Sequence, residues 1–315
     1  MAVTSSDFLA ALLTNYQAQF GQTWNDPANS DVLLSLAQRF QSSTLTETIP
    51  FVGAVNAGPT DITSGVVPFE DMTQYYMEIA NKTWGSGFEV QREAFADDRY
   101  KLYAGKPSEL AMSHKMHVGE LVGDLFETGK TATAYDGIAF FANSRATGTT
   151  GLAFDNLGAA TGTYTTASNL YLDITTGQQY FMSLTNDKGR KLGIRGNVIV
   201  VPGQLYDQFY TALSYNSTMD RPAGQFAPPG DSFTVGGYTV VLNRRLTDAG
   251  DWYMLHVDAK RGMMPFIWTD REVPSIDGTT DVNSYEWRVL RKAQYTTYGR
   301  YAAGFGNPLL AYMFD

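Results

Sequence analysis

The sequence contains no cysteine, which excludes disulfide scaffolds, thiolate zinc sites and thiol nucleophiles together. Histidine is nearly as scarce, with three residues, His114, His117 and His256, so a metal site built from imidazoles has little to draw on. Positive charge is in deficit. The 23 Lys and Arg against 32 Asp and Glu give a net charge of −9, the wrong sign for a dedicated nucleic-acid binder. No apolar run approaches the length that crosses a membrane, and Met1-Ala2-Val3-Thr4-Ser5-Ser6-Asp7 lacks the basic start of a signal peptide. A soluble protein made in the cytoplasm, with no membrane partner, is expected. Gly-x-Ser-x-Gly, Gly-x-x-x-x-Gly-Lys-Ser/Thr, His-Glu-x-x-His and the dinucleotide-binding glycine run are also missing. The reading is therefore of a non-enzyme, with no catalytic residue, no metal and no cofactor.

What the sequence has is aromatic mass and punctuation. The 19 Tyr and 18 Phe among 315 residues favour sheets and large packed interfaces. Phe8, Leu9, Leu12, Leu13, Tyr16 and Phe20 recur at helical spacing behind a cap at Ser6 or Asp7, with Gly21 as the stop. A second short helix is expected over 30–40. Phe51-Val52-Gly53-Ala54-Val55 and the run 88–95 read as strands, with turn signals at Gly58-Pro59, Ser64-Gly65 and Gly85-Ser86-Gly87. Together they suggest a protruding two-stranded arm, with a helical turn somewhere in 71–80.

Pro107-Ser108-Glu109 opens the strongest helix pattern, which runs to Thr128 and stops at Gly129. Residues 142–169, rich in Gly, Thr, Ala and Ser, read as a long surface loop. Helices are expected over 170–187 and 204–216, and a buried strand over 197–201. Successive strands follow at 233–235, 238–242, 252–255 and 265–268, then a longer one over 285–301. No internal repeat is visible. The fold class is α+β.

Candidate chemistry is thin. His114, His117, Glu120 and Asp124 share one stripe of the 107–128 helix, where a divalent metal is conceivable, but a solvated polar face explains them more simply. Asp97-Asp98 reads as surface charge. Arg244-Arg245, Lys260-Arg261 and the group Arg288, Arg291 and Lys292 are basic clusters. Over 286–300 four basic residues, including Arg300, face one acid, Glu286, so 4 − 1 = +3 locally. Either a phosphate-facing surface or salt bridges between subunits would use them.

Five segments, in order, resemble a known family. They are Val3-Thr4-Ser5-Ser6-Asp7-Phe8-Leu9-Ala10-Ala11-Leu12, Tyr135-Asp136-Gly137-Ile138-Ala139-Phe140-Phe141, the run 193–202 (Gly-Ile-Arg-Gly-Asn-Val-Ile-Val-Val-Pro), the run 255–267 (Leu-His-Val-Asp-Ala-Lys-Arg-Gly-Met-Met-Pro-Phe-Ile), and Tyr298-Gly299-Arg300-Tyr301-Ala302-Ala303-Gly304-Phe305-Gly306. Together they look like the Mu-like phage major head subunit (gpT type). The sequence departs from that family at Ala142-Asn143-Ser144-Arg145, where a His-Pro often follows the Phe-Phe, and in an added turn-rich stretch over 56–68.

The resemblance implies the Hong Kong 97-type phage capsid fold. Expected parts are an N-terminal arm (1–45), an extended β loop (46–98), a peripheral domain with a long spine helix (99–164 and 266–315) and an axial domain (165–265). It further implies a major capsid protein of a tailed double-stranded DNA phage, assembled in the host cytoplasm and residing in the virion. Such a protein self-associates into hexamers and pentamers of an icosahedral shell. Leu9, Leu12, Leu13, Phe51, Phe88 and Arg92 are the expected contacts to neighbouring subunits, and Arg288, Arg291 and Lys292 the expected DNA-facing group. The arm starts almost at residue 1 with no long charged leader, so a separate scaffolding protein is expected, along with a portal protein, a cement or decoration protein and non-specifically packaged DNA. Rival readings are an encapsulin-like compartment, a β-rich glycan-binding or adhesion protein, and a metal enzyme using His114 and His117.

Overall fold

The computed structural model describes residues 5–52, 74–97, 99–147, 152–161, 167–186, 188–214, 230–259 and 264–315. Helix α1 (Ser6–Asn25) starts where the Ser5 hydroxyl accepts the Phe8 N–H at 3.3 Å. Leu9, Leu13, Tyr16 and Phe20 form its buried stripe. The helix passes through Gly21, because Trp24, one turn beyond Phe20, still packs on the same core. The helix expected over 30–40 is instead a 3₁₀ turn (Val32–Leu36) followed by strand β1 (Ala37–Gln41). Strand β1 pairs in parallel with a segment far along the chain, Ala37 opposite Phe266 and Gln41 opposite Asp270. That pairing overrides the local spacing.

Strands β2 (Thr46–Val52) and β3 (Gln74–Ala80) pair antiparallel, from Thr46 opposite Ala80 to Val52 opposite Gln74. The expected helical turn in 71–80 is thus a strand from Gln74 on, and its exposure alternates with period two. Gly58-Pro59, Ser64-Gly65 and the added stretch over 56–68 lie outside the described residues.

Strand β4 (Lys82–Gln91) leads into the short helix α2 (Arg92–Ala96), which takes up the end of the expected 88–95 strand. Helix α3 (Lys106–Thr128) has Pro107 in its first turn and ends at Gly129, whose N–H reaches the Leu125 carbonyl at 2.9 Å. A Cβ on Gly129 would stand 2.6 Å from the Phe141 ring.

The expected surface loop at 142–169 is partly built into the interior where it is described, with Arg145, Phe154 and Asn156 buried. It holds the hairpin β5 (Arg145–Thr147) and β6 (Leu152–Phe154), then β7 (Leu157–Gly158). Arg145 is fully buried and pairs with Asp136 at 3.3 Å. Asn156, also fully buried, donates to the carbonyls of Phe140 (2.8 Å) and Pro308 (3.2 Å). Polar residues that read as solvated in a sequence are here hydrogen-bonded inside.

The remaining elements are α4 (Ala167–Ser183), β8 (Val198–Val201), α5 (Tyr206–Ser214), β9 (Ser232–Val235), β10 (Tyr238–Leu242), β11 (Trp252–Leu255), β12 (Phe266–Gly278), α6 (Tyr285–Arg288), β13 (Lys292–Phe305) and β14 (Ala311–Phe314). Residues 285–301 are thus not one strand. Ser284 caps α6, Trp287 is buried beneath it, and Arg291 turns with a positive φ of 54° before β13 begins.

Two sheets organise the molecule. The first has the order β1-β12-β13-β4 and the second β7-β14-β11-β8-β10-β9. Alternate residues of the second sheet enter different cores. Ile199, Val201, Val240, Trp252, Met254, Tyr312 and Phe314 pack with α4 and α5. Val198, Val200, Val241, Tyr253, Leu255 and Met313 pack toward α3 and the first sheet, with Phe126, Phe140, Phe266 and Phe305. Burial on both faces explains why β8 reads Val-Ile-Val-Val. Strands β7 and β14 complete this sheet from outside 165–265.

Gly85-Ser86-Gly87 is not a turn but the middle of β4. A Cβ on Gly87 would stand 2.6 Å from the Tyr295 carbonyl oxygen, and one on Gly85 2.8 Å from that of Thr297. Replacing Gly87 by Ala is expected to push β4 off β13 at a cost of about 1–3 kcal/mol. Hydrogen exchange checks this: amides of 82–91 should lose protection while those of β8 and β11 keep theirs.

Candidate assembly surfaces

The arm expected to reach neighbours has its apolar face on its own subunit. Leu9 and Leu13 are buried among Val90, Phe95, Ala111, Ile276 and Trp287, and Leu12 packs half-buried on the same cluster. Phe88 stacks on Tyr295 at 5.1 Å. The Arg92 guanidinium lies over the Trp287 ring at 5.5 Å. These five side chains hold α1, α2, β4 and α6 together within one subunit. Phe51 stands in β2, opposite Tyr75.

The expected DNA-facing group is largely neutralised. Arg291 binds Glu93 at 2.6 Å and Lys292 binds Glu89 at 2.5 Å, and both carboxyls are held below their usual range by hydrogen bonds, to the Glu93 backbone and to Arg291 in one case and to Lys292 in the other. Arg288 is exposed and has no carboxylate partner among the described residues. Arg244 pairs with Asp231 at 2.5 Å, and Arg245 with Asp124 at 2.6 Å and Glu120 at 3.2 Å. Lys260, Arg261 and Asp98 lie outside the described residues.

His114 and His117 are not a solvated stripe. His114 is buried, and His117 half-buried. The Tyr301 hydroxyl lies 2.9 Å from His114 Nδ1 and 3.0 Å from His117 Nδ1. His114 Nε2 lies 2.7 Å from Thr297 Oγ1, which in turn donates to the Ser86 carbonyl at 3.0 Å. One proton arrangement fits all of these contacts. Thr297 accepts from His114 Nε2–H, so His114 Nδ1 accepts the Tyr301 O–H, and His117 Nδ1–H donates to the Tyr301 oxygen. Both imidazoles are then neutral. Burial lowers both pKa values, reinforced at His114 by the neighbouring His117. The Trp84 ring covers His117 at 4.3 Å, and its Nε1–H donates to the Tyr301 carbonyl at 2.9 Å. This network locks α3 to β13 and β4. Beside it runs a groove of about 490 Å³ lined by Trp84, Met112, Met116 and His117. Among the described residues, no three His, Asp or Glu side chains are placed to hold a metal ion, and no helix is long and apolar enough to cross a membrane.

Three exposed apolar groups escaped the sequence reading. Leu45 precedes β2, and Tyr76 stands within β3. Leu102, Tyr285 and Val289 are exposed on the segments around α2 and α6, with Leu102 80% accessible. Tyr171, Leu172 and Met182 stand on the outer face of α4. The available signal was apolar residues falling off the buried stripe of their element, which is faint because single exposed apolar residues are common. The hairpin is a two-stranded sheet of its own. Ile49 and Ile79 dock it on Ile267 and Ala302 of the first sheet.

The sequence model of the family described as Mu-like prophage major head subunit gpT matches residues 9–182 and 233–314. No curated protein sequence matches the chain. Among solved structures, the procapsid of bacteriophage JBD30 is similar at 21% identity and a TM-score of 0.56, over 98% of this chain and 74% of that one. The capsid of cyanophage P-SCSP1u is similar at 9% identity and a TM-score of 0.61, over 90% of this chain and 88% of that one. The JBD30 capsid decorated with minor capsid protein trimers is similar at 12% identity and a TM-score of 0.52, over 92% of this chain and 65% of that one. At such identities the likeness is one of fold.

Proposed function

Because the chain belongs to the Mu-like prophage major head subunit gpT family, and is a major capsid protein of the Hong Kong 97-type fold, we propose that its copies tile an icosahedral shell of pentamers and hexamers around double-stranded DNA. In this reading the first sheet and α3 form the peripheral domain, and α3 is the spine helix. The second sheet with α4 and α5 is the axial domain, extended by β7 and β14. The β2–β3 hairpin is the extended loop, and α1 belongs to the arm.

The observation that carries the assembly reading is the hairpin. Its two strands pair only with each other among the described residues, so both outer edges offer unpaired backbone groups, which a monomer would be expected to cover or charge. Rings need heterologous contacts, one flank of a subunit meeting a different flank of the next. Each contact is weak alone, but many acting at once hold the shell. The hairpin, including the Phe51 position, and the exposed residues Tyr285 and Val289 take over the neighbour-contacting role expected of Leu9 and Leu13.

A separate scaffolding protein, a portal protein and a decoration protein complete the proposal, with assembly in the host cytoplasm. A capsid decorated with minor capsid protein trimers among the similar structures supports the third. Expression of the chain alone tests the scaffold. Sedimentation velocity should show a broad mixture of assemblies, and uniform, correctly sized shells without any partner would contradict it.

A further inference from the structure

The connection between α4 and β8 carries Lys188, Arg190, Lys191 and Arg195 against one acid, Asp187, a local charge of +3 on a chain of net −9. It is a built hairpin. Asn186 Oδ1 accepts the N–H groups of Lys188 (3.0 Å) and Arg190 (2.8 Å). Leu192 N–H donates to the Leu184 carbonyl at 3.0 Å. Gly189 and Gly193 take positive φ values of 80° and 63°, which only glycine adopts at little cost. Leu184, Leu192 and Ile194 sink into the core beneath, and His256 Nδ1–H holds the Arg195 carbonyl at 2.6 Å. Arg190, Lys191 and Arg195 are exposed.

Among the described residues none of these three has a carboxylate partner, whereas Arg244, Arg245, Arg291, Lys292 and Arg300 all do. Lys191 Nζ donates to the Ser183 carbonyl at 2.6 Å, and exposed cations with no carboxylate partner among the described residues of an acidic protein can meet an external anion. The hairpin offers no aromatic ring and no Asn or Gln outside the turn-forming Asn186, so it has nothing to read base edges with. We infer that the 188–195 hairpin is the surface that touches nucleic-acid phosphates, sequence-independently, rather than 288–292. This rests on the reading of the chain as the wall of a DNA-filled shell. Contact through about three cations is weak and salt-sensitive, which lets packed DNA slide.

The test is fluorescence anisotropy of the full-length, unassembled chain with a labelled duplex of arbitrary sequence, titrated at several salt concentrations. The wild type is expected to give a log–log salt slope of about −2.7, from about −0.9 per phosphate contact. Arg190→Ala, Lys191→Ala and Arg195→Ala combined should bring the slope near zero and weaken low-salt binding at least about tenfold. Arg190→Lys with Arg195→Lys should keep the slope, as should Arg288→Ala, Arg291→Ala and Lys292→Ala combined. An unchanged slope in the first triple variant overturns the assignment. So does loss of shell assembly with duplex binding intact, which would make the hairpin a contact to another copy. A wild type that binds no duplex at low salt overturns both the hairpin and the DNA-facing wall, while shells seen by microscopy would still stand.

Discussion

Phe266→Ala is expected to lower the thermal unfolding midpoint of the unassembled subunit by on the order of 10 °C and to abolish shells at physiological temperature. Phe266 is fully buried at the start of β12, in the core shared by α3 and the two sheets. Its ring meets Phe126 of α3 at 4.7 Å, Phe140 at 5.5 Å and Phe305 of β13 at 6.4 Å. One truncation therefore loosens the spine helix, both sheets and the segment after α3 together. Phe→Ala in a core costs about 3–5 kcal/mol, a large part of the roughly 5–15 kcal/mol that holds a domain folded. Leu102→Ala, at an 80% accessible position, is the control and should change stability by no more than about 0.5 kcal/mol. Calorimetry of both variants checks the pair, and equal midpoints would mean that this aromatic cluster does not join the two sheets.

The histidine network gives the second large effect, and its sign follows from neutral imidazoles. Both pKa values lie below the ordinary 6.5, so the unfolded chain binds these protons more readily than the fold does. Their contribution is complete above pH 6.5 and is lost as pH falls below that value toward the folded pKa values. Each proton adds a slope of at most about 1.4 kcal/mol per pH unit.

The facing groups differ for the two rings. Around His117, Glu120 and Asp124 favour the charged form while Arg245 opposes it. His114 faces the Tyr301 hydroxyl, Thr297 and His117, with no carboxylate to compensate, so it dominates. His114→Asn should flatten the slope of denaturation midpoint against pH between about 5 and 6.5, above the carboxylate range. Tyr301→Phe should destabilise at every pH, by about 1–3 kcal/mol for each ring nitrogen left buried and unpaired. The same acid slope in His114→Asn as in the wild type would contradict the network.

The parts of this fold that were readable in the sequence are those whose signal is local. Strand β8 is apolar at every position because both its faces are covered, and α3 carries its own start and stop in Pro107 and Gly129. What failed depends on partners far away in the chain. Residues 37–41 have helical spacing, and only their pairing with 266–270 makes them a strand. His114 sat on the polar stripe of a helical wheel, and the tyrosine that buries it is 187 residues distant. The apolar face of α1 was plain, but whether its partner belonged to the same subunit was not. Within the subunit that face packs on Phe95, Ile276 and Trp287.

The pairing of the basic residues was hidden for the same reason. Local charge over 286–300 is positive in the sequence, and Glu93 and Glu89 reach Arg291 and Lys292 from across the fold.

Electron cryomicroscopy of the particles formed by this chain with its phage partners tests the central claim most directly. The account expects closed shells with five-fold and six-fold capsomers, the second sheet nearest each capsomer axis and the β2–β3 hairpin lying on an adjacent subunit. A monodisperse monomer under every assembly condition would contradict it.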